Sequence, residues 1–195
     1  MQPEEIYRPP QADLEIHTPL LPQPLAPFFQ TAPWKMALLS VMSLGLYQLY
    51  WHHKHWWRRK IHGESVIPIL RTIFAPFFAY SLFQSVNRHI ERNAPADLPL
   101  SAGAPLQPLN SGPLAVGYFA LGLLWRLPDA LGIFAGLFSI LPLMTAQRRI
   151  NELHAVLGYD PREGSRLTGG DVAVLVLGAF FWVFLLVDLP IPAQQ

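Results

Sequence analysis

Five apolar segments, almost free of charged residues, follow one another along the chain and are separated by polar stretches. Uncharged runs of this length are typical of helices embedded in a bilayer, where a full crossing needs about 20 apolar residues. The pattern therefore predicts an all-α integral membrane protein with four to five membrane-embedded helices. The segments cover residues 34–50, 66–86, 114–127, 129–145 and 172–187.

Both chain ends differ from these segments. Residues 1–33 are rich in proline and show no helical period, which predicts an extended or disordered tail. Residues 191–195 form a short uncharged tail. The sequence thus divides into the N-terminal tail, a helical membrane domain over residues 34–190, and the C-terminal tail.

Composition supports a membrane protein and excludes several other classes. Charged residues make up 14% of the chain, against about 25% in a soluble domain. A net charge of +1 gives no basic face for nucleic acid. The absence of cysteine excludes disulfides, thiol catalysis and cysteine-ligated zinc.

A stretch rich in Trp, His, Lys and Arg, residues 47–62, follows the first apolar segment, and we call it the anchor stretch. Such side chains fill the headgroup layer of a membrane, so we expect them to contact anionic lipid headgroups. Protonation of its histidines below about pH 6.5 would tighten that contact. The predicted interfacial residues are Trp51, His52, His53, Lys54, His55, Trp56, Trp57, Arg58, Arg59 and Lys60.

A metal site is the alternative interpretation of the anchor stretch. His52 and His55 lie one helical turn apart and could share a zinc or copper ion. Four neighbouring cationic side chains disfavour a bound cation, and the sequence predicts neither a metal nor another cofactor.

The basic residues also predict how the chain is threaded, because Lys and Arg near span ends stay on the cytoplasmic side. Residues 52–62 and 147–167 are both expected inside, and the N-terminal flank outside. An even number of crossings must then separate the two basic regions, although three apolar segments lie between them. We favour segment 66–86 lying along or dipping into the cytoplasmic face, which gives four spans. In the alternative, this segment crosses and residues 114–145 cross only once.

Three charged residues within or beside apolar segments form a candidate polar site: Arg71, Arg126 and Asp129. An ionisable residue in a membrane segment is a functional candidate by default. The structural alternatives are an Arg71 side chain that snorkels to phosphate and a local ion pair at a hairpin turn.

Two local patterns complete the helix predictions. Residues 147–157 carry apolar side chains at helical spacing, which predicts a short amphipathic helix. Thr168 and Asp171 have the spacing of a capping box at the start of the fifth segment.

The first segment matches the pattern K-x-x-x-L-S-x-x-T-x-G-x-Y-x-x-Y-W from Lys35 to Trp51, with Ser43 at the threonine position. The motifs at residues 67–77, 125–129 and 143–151 are similar to the same proteins. In these four motifs the chain resembles a family of small bacterial multipass membrane proteins that is known only as a domain of unknown function. The resemblance covers most of residues 34–190 and implies a location in the bacterial inner membrane, without any activity or ligand.

Catalytic motifs such as GxSxG, Walker A and HExxH are absent from the sequence. We therefore expect a non-enzymatic membrane component whose partners are lipids and other membrane proteins or further copies of itself. The alternative is a small transporter or channel-like subunit that uses Arg71 with Arg126 and Asp129. A lipid-modifying enzyme is the least favoured hypothesis, because no paired acid and base is evident.

Overall fold

The computed structural model describes residues 25–93, 106–160 and 162–188, and within them all regular structure is helical. This confirms the all-α prediction. The tail residues 1–24 and 189–195, and most of the loop before the third segment, lie outside the described residues. The helices are α1 (Pro33–Met42), α2 (Leu46–Ile61), α3 (Pro68–Ile73), α4 (Ala75–Asn93), α5 (Ser111–Leu123), α6 (Asp129–Leu137), α7 (Ile140–Val156) and α8 (Gly169–Asp188), with a 3₁₀ turn at Leu124–Arg126.

The sequence predicted a single helix for the first apolar segment. In the structure this segment instead reverses direction. Leu44 and Gly45 have φ angles of 49° and 83°, so the backbone leaves the helical region between α1 and α2. A Cβ on Gly45 would lie 2.8 Å from the Trp125 ring, so both the left-handed backbone and the close approach require glycine here.

Residues 25–31, which we call the strap, run antiparallel to α2. The Ala26 carbonyl accepts a hydrogen bond from Arg58 near the end of α2, and Thr31 contacts Tyr47 near its start. Both ends of the first segment therefore lie at the same end of the molecule. This contradicts the prediction that the segment crosses a membrane and separates the N-terminal flank from residues 52–62.

The other helices repeat this reversal. Arg59 contacts both Glu64, which precedes α3, and His89 near the end of α4. Asn87 in α4 bonds to Leu109 and Ser111 at the start of α5. We call this the polar end, because exposed charges gather on its surface, namely Lys60, Arg88, Glu91, Arg92, Arg148, Glu152, Asp160, Arg162 and Glu163.

The turns lie at the opposite, apolar end. Gly45 in the first turn, Ile73 beside the second and Trp125 in the third line one cavity. The chain therefore runs toward the apolar end in α1, α3 and α5, and returns in α2, α4 and α7. α8 runs beside α1, since Asp171 pairs with Lys35 and the Trp182 indole donates to the Val41 carbonyl.

The predicted threading is partly matched by this geometry. Arg58 lines a cavity together with Asp160 and Glu163, so the two basic regions lie at one end of the molecule. Segment 66–86 forms α3 and most of α4, which run toward the apolar end and back. One helical stretch in the described residues, Leu131–Val156, is long and apolar enough to cross a bilayer, and Gly169–Leu185 is apolar but shorter. Four to five spans are therefore not supported.

Local predictions have mixed outcomes. The capping box is confirmed: the Thr168 amide donates to Asp171 over 2.7 Å, and the Asp171 amide donates to the Thr168 hydroxyl over 3.3 Å. The amphipathic helix at 147–157 exists, with Ile150 and Leu153 buried, but it continues α7 rather than standing alone.

The core lies between α1, α2, α4, α5 and α7, and the strap contributes to it. Its largest fully buried apolar side chains are Phe28, Met36, Leu39, Trp51, Trp56, Leu82, Phe83, Leu143, Ile150 and Leu153. Many equally large side chains instead point outward, including Ile69, Ile73, Phe77, Leu131, Phe138, Leu177, Phe180 and Phe184. Exposed apolar surface on this scale marks contact with a membrane or a partner.

Candidate functional site

The strap occupies the groove between α2, α4 and α7 at the polar end. Phe28 is fully buried there, although the sequence predicted a disordered tail through residue 33. Apolar contact explains the difference, because burying an aromatic ring contributes about 1.5–3 kcal/mol toward ordering the segment.

Three histidine rings and one guanidinium surround Phe28. The ring centroids of His89, His55 and His154 lie 5.2, 6.1 and 6.4 Å from that of Phe28. The Arg59 guanidinium lies 5.0 Å from the same centroid, within the range of a cation–π contact. Phe28 therefore brings together side chains from three helices that are distant in sequence.

The Gln147 side chain in α7 joins the strap to α2. Its Oε1 accepts hydrogen bonds from the Trp51 indole at 2.6 Å and from His55 Nε2 at 3.3 Å. Its Nε2 donates to the Phe29 carbonyl at 3.2 Å and to Asn151 at 2.8 Å. Every polar atom of this buried amide is thus partnered, which favours one arrangement of strap and helices.

The hydrogen bonds also fix the tautomer of His55. The Phe29 amide donates to His55 Nδ1 over 3.4 Å, so Nδ1 carries no proton. Nε2 then carries the proton and donates to Gln147. The neutral ring is thereby held by one donor and one acceptor.

Burial keeps these histidines neutral. Burial, followed by the charge of Arg59, lowers the pKa of His89 to about 4. Burial lowers the pKa of His52 to about 3, and burial and then the neighbouring His52 hold the pKa of His55 well below its ordinary value. The gain of positive charge near pH 6.5 that the sequence predicted for the anchor stretch therefore does not hold for His52 and His55.

An ion pair closes the mouth of the groove. Arg59 pairs with Glu64 and also donates to His89 Nδ1 over 3.3 Å. Burial raises the pKa of Glu64, but the hydrogen bond and charge of Arg59 outweigh it, so that the pKa of Glu64 is lowered. The pair joins the link before α3 to the C-terminal ends of α2 and α4.

The predicted anchor residues divide between two faces of α2. Five of them, Trp51, His52, His55, Trp56 and Arg59, are buried in the helical core. Since a buried side chain cannot reach a lipid headgroup, this is a correction to the predicted anchor. The other five remain on the surface or partly exposed: His53, Lys54, Trp57, Arg58 and Lys60.

Two residues of the predicted polar site, Arg71 and Arg126, do not come together. The Arg71 guanidinium lies 4.3 Å from the Trp56 ring centroid and 5.2 Å from that of Phe78. Arg126 is exposed at the apolar end, on a different element. The side chain of Asp129 lies outside what the structure describes.

The arrangement holds the strap against α2, α4 and α7. In the described ranges, no group of three or more His, Cys, Asp or Glu side chains is placed to hold a metal ion. Comparisons of the chain with protein-family models, with curated proteins and with solved structures found no match.

Sequence reasoning did not find Phe28, His89, Gln147 or His154. The Phe28-Phe29 pair was the available signal, since two adjacent aromatic residues are unusual in a solvated proline-rich tail. The close approach at Gly164 gave no such signal, because only the structure shows that a Cβ there would lie 2.8 Å from the Thr31 amide nitrogen.

Proposed function

We propose that this chain is a non-enzymatic integral membrane protein whose helical hairpins enter the bilayer from one face and act through contacts with lipids and other membrane proteins. One observation carries the proposal. In all three helical hairpins the turn lies at the apolar end and the two outer helix ends lie at the polar end. The apolar half of the molecule carries large apolar side chains that point outward.

The outward apolar side chains favour lipid as the surrounding medium. Phe180 is 73% exposed and Phe77 is 70% exposed, on different helices. Leaving such rings in water would forfeit about 25 cal/mol for each square ångström of apolar surface. A bilayer that surrounds the apolar half removes this cost without a further protein partner.

The hairpins explain an even number of passages between the basic regions. From residue 62 to residue 147 the chain descends in α3, returns in α4, descends in α5 and returns in α7. Both basic regions then face the cytoplasm, as the positive-inside rule requires. The stretch Leu131–Val156 is long and apolar enough to reach across a bilayer, and the apolar part of α8, Gly169–Leu185, is shorter.

The surface of α2 supports contact with anionic headgroups at this face. Lys54, Trp57 and Lys60 lie outward near the end where the hairpins open. A Lys near an anionic surface contributes about 1 kcal/mol to binding. The family resemblance adds a proposed location in the bacterial inner membrane.

The transporter alternative lacks a specific observation in its favour. Arg71 is covered by aromatic rings, and Arg126 stands apart from it. A polar path would need several such side chains on a common surface.

Liposome flotation tests the proposal. The full chain should float with vesicles and resist alkaline extraction, and Lys54→Gln/Lys60→Gln should weaken headgroup contact only in vesicles that contain anionic lipid. Arg148 is an exposed cation on α7, so Arg148→Gln serves as the control for the loss of one positive charge away from α2. A chain that stays in the soluble fraction would contradict the proposal.

A further inference from the structure

A cavity of about 320 Å³ lies between the turns at the apolar end, and we call it the tip cavity. Its volume is within the range of about 300–1,000 Å³ that small-molecule sites occupy. It is lined by Leu44, Gly45, Leu46, Gln48, Leu49, Ile73, Pro76, Tyr118, Gly122, Trp125 and Ser139.

The cavity wall is apolar and its rim faces outward. Leu46 and Ile73 are 68% and 66% exposed, so they mark an opening on the apolar half of the molecule. Among the side chains that the structure describes, none that lines it is Asp, Glu, Lys, Arg or His. A ligand with a net charge would therefore lose its hydration without gaining a partner from these residues, which disfavours charged heads.

Three buried polar side chains give this apolar cavity a polar floor: Gln48, Tyr118 and Ser139. The Ser139 hydroxyl donates to Gln48 Oε1 over 3.1 Å. Gln48 is only 4% exposed, yet its Nε2 has no hydrogen-bond partner among the described residues. A buried donor left without a partner costs about 1–3 kcal/mol, so a ligand that accepts its hydrogen bond would recover that cost.

We propose that the tip cavity binds a single-chain lipid with an uncharged head that accepts hydrogen bonds, such as the ester carbonyl of a monoacylglycerol. The head lies on the floor and receives a hydrogen bond from Gln48, while the acyl chain leaves between Leu46 and Ile73 into the surrounding bilayer. This inference rests on the proposed membrane function, because the opening faces lipid only if the apolar half is embedded.

Photolabelling tests the site. The full chain in mild detergent is mixed with a monoacylglycerol that carries a diazirine on its acyl chain, and the labelled residues are mapped by mass spectrometry. Labels should concentrate on residues 44–49 and on Trp125. Gln48→Leu should reduce them about five-fold, the factor for one lost hydrogen bond. Gln84→Leu, the same change on the outer part of α4, should leave them unchanged.

A second variant keeps the test valid if Gln48→Leu folds poorly. A Cβ on Gly122, which lines the cavity, meets nothing within 4 Å among the described residues, so Gly122→Leu is chosen to put an apolar side chain into the cavity. It should also remove the labels without lowering the melting temperature, because leucine favours a helix more than glycine does. Labels spread over α8 and insensitive to both variants would overturn the proposal, and so would preferential labelling of the cavity by a fatty acid that carries a carboxylate.

Liposome flotation of the same preparations separates the two proposals. Failure to float contradicts membrane embedding, whereas flotation without concentrated labelling contradicts only the lipid site.

Discussion

Phe28 holds the strap through the rings that surround it. If the Phe28 ring were removed, the neighbouring side chains would not fill the cavity that it leaves. Phe28→Ala should lower the free energy of unfolding by about 3–5 kcal/mol, through lost burial and the cavity left behind. Thermal unfolding in detergent measures the loss.

The matched control for this change is Phe180→Ala, because Phe180 is 73% exposed while Phe28 is fully buried. Phe180→Ala should shift the melting temperature little. Equal shifts for the two variants would show that the strap is not part of the core.

The neutral histidines make stability depend on pH. His89 has a pKa of about 4 in the folded chain and about 6.5 when unfolded, so unfolding takes up a proton between these values. Stability is fully present above pH 6.5 and is lost as the pH falls toward 4. Melting temperatures between pH 7.5 and 5 should fall accordingly.

Substitution identifies the responsible group. His89→Gln should weaken this dependence without abolishing it, because His52 and His55 contribute in the same direction, whereas His62→Gln, at an exposed position, should leave it unchanged. Glu64 acts in the same direction, but only near and below about pH 4.3, the usual pKa of glutamate. A melting temperature that stays constant between pH 7.5 and 5 would show that these histidines do not become protonated on unfolding.

At the scale of elements, the reversal at Gly45 decides how the first segment folds. Gly45→Ala places a Cβ both in a left-handed backbone and against Trp125. Gly158 has a nearly identical φ of 82°, and a Cβ there would have no described neighbour within 4 Å. Gly158→Ala therefore measures the cost of the left-handed backbone alone, about 1–2 kcal/mol.

The difference between these two variants therefore isolates the contact with Trp125. Gly45→Ala should lower the unfolding free energy by more than Gly158→Ala does, as measured by denaturant titration in detergent. Equal losses would mean that the Trp125 ring moves aside freely.

The helices themselves were predictable because apolar runs and capping residues are local signals. Segment 172–187 and the Thr168 cap were both found in this way. The reversal of the chain at Gly45 was not predictable, since hydropathy reports how apolar a residue is and not whether the helix continues through it. Within the candidate site, the aromatic and basic character of α2 was evident, but which face is buried depended on Gln147 and Phe28 from distant parts of the chain.

At the scale of the whole molecule, the strap and the two basic regions lie at the same end. The positive-inside rule had grouped residues 52–62 with 147–167, because both carry clustered cations. It placed the N-terminal flank on the other side, because it assumed that a charge-free segment crosses. The contacts of Ala26 with Arg58, and of Ala32 with Gly164, place that flank beside both basic regions.

Cysteine accessibility tests this arrangement most directly, because the chain contains no natural cysteine. Single-cysteine variants at Leu25, His62 and Ser165 would be treated with an impermeant maleimide in right-side-out and inside-out vesicles. All three should react only in inside-out vesicles, from the cytoplasmic face. Labelling of Leu25→Cys from the opposite face to His62→Cys would show that the first segment crosses the membrane, and would contradict the hairpin arrangement.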